Sequence, residues 1–377
     1  MLAELAELVG RESPSSDVSL CRSAAALVAD QADRYGVPAR VVESGGRPHV
    51  LLGALGTGGS WSADPVPGQV LLLGHLDTVW PEGTAASWPF AVADGVARGP
   101  GAYDMKAGIV QGVHALASLA SRGAAERAGM LVTSDEETGS AAARGVLEPL
   151  ARSADAVLVL EPGPVNGVKV ARKGSRLERV LVQGRAAHSG LEPEKGVNAC
   201  VEVARLVLAL DAMHDPESGR SVVPTLLSAG SAENVVPERA ELTVDVRSFD
   251  PSDLDGFEHA VRSLGTAHPD ARVSVECVSS RPPLLESSGA GLFARAREIA
   301  SALGLGDLTR ARVGGVSDGN LAAAVGAPTL DGLGPVGGGA HARSEHVLTG
   351  QTWRRAALVA ALVASLAATP ARIDATG

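Results

Sequence analysis

At 377 residues the chain exceeds the ~250–300 at which a single hydrophobic core stops growing, so two domains are expected. It is 45% hydrophobic and 20% charged, the balance of a globular protein, and its 45 glycines and 22 prolines call for many tight turns. A formal net charge of -10 with no offsetting basic stripe argues against a nucleic-acid partner, and the absence of any uninterrupted apolar run of ~18 residues argues against a membrane span.

An amphipathic helix is predicted over residues 1–9; it carries Glu4 and Glu7 where a signal peptide would be basic and then apolar, so a cytoplasmic location is expected. The turn Ser13-Pro14-Ser15-Ser16 follows, and Ser16 or Asp17 can cap a second helix running to about residue 35. Cys21, Cys200 and Cys277 are scattered and odd in number, forming neither a disulfide framework nor a thiolate metal spacing. Strands are predicted at 39–42 and 49–52, then a Gly/Ser/Pro-rich loop over 56–68. The aliphatic run at 69–73 stops at Gly74-His75-Leu76-Asp77-Thr78, the pattern of a buried strand. Side chains two apart on a strand share a face, so His75 and Asp77 project side by side from its carboxyl end. That pairing suits a metal-binding imidazole oriented by a carboxylate.

The next polar cluster runs from Arg98 to Lys106 and opens a helix predicted over 107–121. Its glycines let the backbone approach a ligand closely, while Asp104 at the helix start is also placed to be an ordinary cap. The predicted strand 129–134 ends in Asp135-Glu136-Glu137, three acids whose repulsion calls for a cation or for solvent. Another strand, 156–160, ends in Glu161. Ligands bind at the carboxyl edge of open α/β sheets, so His75, Asp104, Glu136, Glu137 and Glu161 are candidates to share one crevice.

A different pattern fills the next hundred residues: an alternating run at 177–182, a helix at 197–213, strands at 221–229 and 240–247, a helix at 251–267 and a strand at 272–277. This β-α-β-β-α-β order is that of a ferredoxin-like sandwich inserted into an α/β domain. The expected domains are therefore residues 1–173 with 282–377, and residues 174–281. The first domain then resumes with a helix at 291–303, the glycine-rich stretch Gly314 to Asn320, a strand at 328–330, a loop at 334–343 holding His341, and a last helix at 351–367. His114 and His214 fall on predicted helices without acidic company and are read as structural or surface residues.

Taken in order, these motifs resemble the signatures of the di-zinc exopeptidase and deacylase family that includes glutamate carboxypeptidase, acetylornithine deacetylase, succinyl-diaminopimelate desuccinylase and aminoacylase. The resemblance rests on Ser13-Pro14-Ser15-Ser16, Gly74 to Val79, Arg98-Gly99 with Asp104-Met105-Lys106, Asp135 to Gly139, Glu161-Pro162, Arg172-Lys173-Gly174, Gly184 to Ser189, Asn234 to Pro237 and Asp245-Val246-Arg247, and so extends over nearly the whole chain. It implies an α/β fold with a mixed-sheet zinc-peptidase catalytic domain and an inserted ferredoxin-like dimerisation (lid) domain.

The resemblance also implies two Zn2+ per subunit, with Co2+ or Mn2+ as possible substitutes. His75 and Glu161 would bind one ion, Glu137 and His341 the other, and Asp104 would bridge both, a nitrogen and oxygen donor set that suits zinc. In the segment 339–347 the family's ligand stands about four residues before an acid, which selects His341 over His346. Asp77 would orient His75, and Glu136 would take a proton from water and pass it to the leaving amine. In the inserted domain, His188 would reach the partner's site in a homodimer to polarise the scissile carbonyl, while Asn234 and Arg247 would hold the substrate's terminal carboxylate. Arg281 and the loop with Gly315 and Ser317 match the glutamate carboxypeptidase branch, which implies that they help bind the acidic part of the substrate. The implied activity is hydrolysis of an amide bond in a small peptide or N-acyl amino acid, releasing a free amino acid. An N-acyl amino acid deacylase is the alternative, and an amide-forming enzyme or a non-catalytic zinc-binding homologue are remoter ones.

Overall fold

The aliphatic run that stops at His75 becomes the strand Val70–His75, and every residue of it is buried. In this computed structural model, which describes residues 1–57, 68–123 and 126–368, that strand is central to a six-stranded mixed sheet. Ala128–Thr133 lies parallel to it on one side and Ala156–Val159 on the other, with Thr329–Leu330 continuing the parallel set beyond. Arg47–Gly53 and Ala39–Ser44 complete the sheet as antiparallel strands at the opposite edge. Most of the loop expected over 56–68, and the chain after residue 368, lie outside the described residues.

Helices cover both faces of the sheet, which is why its strands read as continuous apolar runs and not as alternating ones. Val70 and Leu72 face the larger core, packed with residues of the helices Leu2–Gly10, Val18–Asp33, Ala107–Ala120, Ala290–Ala302 and Thr349–Ala368. Leu71 and Leu73 face a smaller core with Leu147 and Ala151 of Arg144–Ser153 and with Leu321 and Ala322 of Asp318–Ala324. Full burial of one such leucine stabilises the fold by roughly 1.5–3 kcal/mol. All three parallel strands that follow this pattern deliver their carboxyl ends to the same edge, and each ends next to an acid or a histidine. None of the described helices is long and apolar enough to cross a membrane.

The chain divides into two compact units. One comprises Met1–Ala171, Leu284–Val313 and the chain from Ser317, and the other Arg172–Pro283 with Gly314–Val316. The second unit holds a four-stranded sheet in the order Ser221–Ala229, Arg239–Ser248, Gly174–Gln183, Arg272–Arg281, with all neighbours antiparallel. That is the ferredoxin-like strand order. Along Arg239–Ser248 every second residue is buried and those between are half-exposed or, at Arg239, exposed. Leu242, Val244 and Val246 pack with Val203 and Leu206 of helix Ala199–Asp211 and with Phe257 and Val261. The single helix expected over 251–267 is two short ones, Pro251–Asp255 and Phe257–Ser263, joined at Gly256.

Candidate metal centre

The site is built at the carboxyl edge of the central strands, from residues of the first unit. His75 ends its strand buried, with Nδ1 2.9 Å from the Asp77 carbonyl oxygen and Nε2 turned to Asp104 Oδ1 at 3.3 Å and Glu161 Oε1 at 3.5 Å. Asp104 presents its other oxygen, Oδ2, to His341 Nε2 at 3.5 Å, and that nitrogen is 3.3 Å from the Glu137 carboxylate. One carboxylate thus has one oxygen toward each imidazole. The donor atoms of His75, Asp104 and Glu137, and those of His75, Glu136 and Glu161, lie within 4.8 Å of one another.

These spacings fit bound metal. Donors ~2.0–2.1 Å from a tetrahedral zinc ion stand ~3.3–3.4 Å apart, and the nitrogen-to-oxygen distances here are 3.3–3.5 Å. The electrostatics agree. Burial alone would lower the pKa of His75, but Asp104, Asp77 and Glu161 raise it well above that of an ordinary histidine. The His341 imidazole is raised to about 10 by Asp104 and Glu137, against the opposing effect of burial. Asp104 is held in its ionised form: burial works against this, and His341 and His75 outweigh it. The cluster gathers positive charge onto its imidazoles, at the positions where a dication would displace those protons.

The local structure explains how each group arrives there. Asp104 does not cap the helix Ala107–Ala120; it sits in the preceding turn, Ala102–Lys106, with extended dihedrals of φ -117° and ψ 94°. Glu136 and Glu137 form a single turn, Glu136–Thr138, closed by Gly139 at φ 105°. Asp77 holds that turn: its Oδ1 accepts the Glu136 N–H and its Oδ2 the Glu137 N–H, each at 3.2 Å, and Oδ2 also accepts the Ser15 hydroxyl at 2.7 Å. Its carboxylate is 3.5 Å from His75 Nδ1, farther than its own carbonyl. The nearest contact to His75 Nδ1 is thus the Asp77 backbone oxygen, with the Asp77 carboxylate at 3.5 Å, and that side chain also fixes the acidic turn. His341 has φ 61°, a left-handed conformation uncommon outside glycine, in a loop that puts its ring into the cluster. His346 instead directs Nδ1 at the Ser344 carbonyl at 2.9 Å and pairs with Arg98 across a strand.

The second unit holds most of the other candidates. His188 is exposed, and its Nδ1 accepts the N–H groups of Gly190 at 3.1 Å and Leu191 at 3.2 Å, so the neutral ring carries its proton on Nε2. The Asn234 carbonyl accepts the Ser189 N–H. Arg247 and Arg281 are both in register with Ser175, on the strands either side of it, so their side chains share one face of the sheet. The Arg247 fork is engaged by Asp245 at 2.8 and 3.0 Å, and the Gly315 carbonyl accepts from Arg172. Ser317, in the first unit, departs from its expected role: it is fully buried, its hydroxyl donates to Asp331 at 2.6 Å and accepts the Gly319 N–H, and it caps helix Asp318–Ala324. A substrate contact from that side chain is thereby closed off. Ser15 and Glu345, both buried and bonded to the residues around the cluster, stand in motifs that the sequence marked but were given no role of their own.

The model of Peptidase family M20/M25/M40 matches residues 71–365. The chain belongs to that family. It is 32% identical to carboxypeptidase G2 of Pseudomonas sp. (strain RS-16) over 312 residues, covering 80% of this chain and 74% of that one. It is 30% identical to a succinyl-diaminopimelate desuccinylase of Alkalilimnicola ehrlichii over 300 residues, 73% of this chain and 77% of the relative. Among solved structures, a tripeptidase from Staphylococcus aureus superposes with a TM-score of 0.73 at 22% identity, with 98% of each chain covered. An M20 family metallo-carboxypeptidase from Sulfolobus solfataricus gives 0.69 at 15% identity, with 98% of this chain and 99% of that one covered. As a member of the M20/M25/M40 family the chain is a metallohydrolase that cleaves amide bonds with release of an amino acid.

Proposed function

We propose that this metallohydrolase is a cytoplasmic, homodimeric di-zinc carboxypeptidase that removes an amino acid, with acidic residues preferred, from a small peptide or N-acyl amino acid. The observation that carries the reading is the Asp104 carboxylate, with one oxygen toward His75 and the other toward His341. His75 and Glu161 would hold one ion, Glu137 and His341 the other, and Asp104 both. When bound, the metal pair supplies Lewis acidity toward the substrate carbonyl and makes water acidic enough to be deprotonated at neutral pH.

The rest of the chemistry falls to the chain's own side chains. Glu136, next to a ligand and held by the same Asp77 clamp, would take the proton from the attacking water and deliver it to the leaving nitrogen. His188 would donate its Nε2 proton to the oxygen that gains charge in the tetrahedral intermediate. Arg247 and Arg281, sharing one sheet face, would bind carboxylates of the substrate with Asn234 and the loop at Gly315, because a guanidinium can bond a carboxylate at two points. Apolar side chains on the outside of the second unit support the homodimer: Leu208 is 74% and Leu226 70% exposed, and Leu227 and Val201 are exposed beside them in the same elements.

The likeness to carboxypeptidase G2 supports the carboxypeptidase reading, the two arginines on one sheet face support the acidic preference, and the likeness to the desuccinylase supports a second reading, an N-acyl amino acid deacylase. The deciding experiment compares release of glutamate from N-acyl-glutamates with release from neutral N-acyl amino acids, with and without chelator. Preference for the neutral series favours the deacylase, and full activity in metal-free protein overturns both readings.

A further inference from the structure

Glu345 lies four residues beyond His341 and has no exposed surface. Its Oε1 accepts the backbone N–H of Tyr103 at 2.9 Å and of Asp104 at 3.1 Å. Its Oε2 accepts the N–H of Gly101 at 3.1 Å and the indole N–H of Trp80 at 2.9 Å. A carboxylate offers about four lone-pair sites, and each of these meets a donor. Three of the four donors belong to the short stretch that ends at Asp104, where Asp104 and Met105 have non-helical dihedrals. The turn is therefore shaped by this side chain and not by a helical ladder of its own.

We propose that Glu345 is a positioning residue that sets the Asp104 carboxylate between the two metal sites. This rests on the reading of Asp104 as the shared ligand. Glu345 acts through the backbone: it fixes the N–H of Asp104 and of the two nearby residues, and so fixes the direction in which the Asp104 side chain leaves the chain. An amide cannot replace it. Glutamine has the same shape but one oxygen, so whichever way it is turned its NH2 faces two N–H donors at about 3 Å, and that half of the turn must move. Because one misplaced bridge belongs to both ions, the effect must fall on both.

The test titrates metal-free wild-type and Glu345→Gln protein with Zn2+ by calorimetry and with Co2+ by its visible spectrum, alongside the melting temperature of each metal-free protein. The metal-free variant should fold but melt below wild type, since two buried N–H groups lose their acceptor, bind both metals about 10–100-fold more weakly, as loss of a ligand-orienting partner does, and show an altered cobalt spectrum. A folded variant that binds both metals with wild-type affinity and an unchanged spectrum overturns the proposal, as does weakening of one metal alone. A wild-type protein that takes up fewer than two ions overturns the bridging assignment itself, and this result appears before any variant is compared. If Glu345→Gln does not fold, Trp80→Phe removes one donor and leaves the carboxylate. It should then weaken both metals by the smaller amount expected of one donor, and unchanged binding overturns the proposal.

Discussion

Glu136 and Glu137 are neighbours in the chain and share one turn, yet the proposed function gives them different tasks. Asp77 clamps both backbone N–H groups, so the geometry of the proposed base and of the proposed ligand is set by one carboxylate. Glu136→Gln should accordingly keep the metal content of wild type while turnover falls by about 10²–10⁴, the range of general acid/base help; a metal count that drops along with activity would show that Glu136 is a ligand. A second residue carries a pH prediction. His49 is buried, and burial lowers its pKa below the ordinary 6.5. As pH falls below about 6.5 the unfolded chain takes up this proton before the folded chain does, so the contribution of His49 to stability declines with falling pH and is level above that value. In metal-free protein, where protons do not compete with ions, His49→Leu should lose less stability than wild type between pH 7.5 and 5.5 in urea denaturation. Equal losses would show that His49 is not held neutral.

Among the elements, the close approach of helix Ala107–Ala120 to the sheet is set by its glycines. A Cβ at Gly108 would lie 2.2 Å from the Leu160 carbonyl oxygen, immediately before Glu161, whereas one at Gly10 on the helix Leu2–Gly10 meets nothing within 4 Å. Gly108→Ala should cost about 1–3 kcal/mol through overpacking and disturb Glu161, and Gly10→Ala should be neutral or stabilising by about 0.5 kcal/mol; equal melting temperatures for the two variants would contradict the packing described. The parallel strands were legible in the sequence because burial on both faces leaves uninterrupted aliphatic runs, and the acids and histidine that end them are abrupt. The acids that end them could be read off directly, whereas the place of His341 in the candidate cluster came only through the family resemblance. What could not be read was whatever depends on distant partners. The strand Gly167–Arg172 pairs with Thr309–Val313, and His346–Leu348 pairs with Val96–Arg98, far apart in the chain. The turn at Asp104 looked like a helix start because its shape comes from Glu345, 241 residues on. The break at Gly256 was hidden because the residues either side of it are helical in pattern.

For the whole molecule, the C-terminal segment acts as a clasp within the first unit. It supplies His341 to the cluster, Glu345 to the turn of Asp104, and Arg355, whose guanidinium donates to the carbonyls of Pro164 and Gly167 just beyond Glu161. The proposed catalytic set is nevertheless divided, because His188 belongs to the second unit and the proposed metal ligands to the first. A two-fold dimer uses one surface patch twice and can bring a group from each subunit to the other's site. If His188 acts in this way, His188→Ala should bind metal normally and lose about 10²–10³ in turnover, the effect of removing one oxyanion donor. Mixed with the equally inactive Glu136→Ala, it should regain activity, since one of the two sites in a heterodimer then combines an intact Glu136 with an intact His188 from the other subunit. Sedimentation should report a dimer throughout, and labelled subunits should show that exchange has occurred. Exchange without recovered activity would place His188 outside the partner's site, and a monomer at working concentration would remove the dimer from the mechanism.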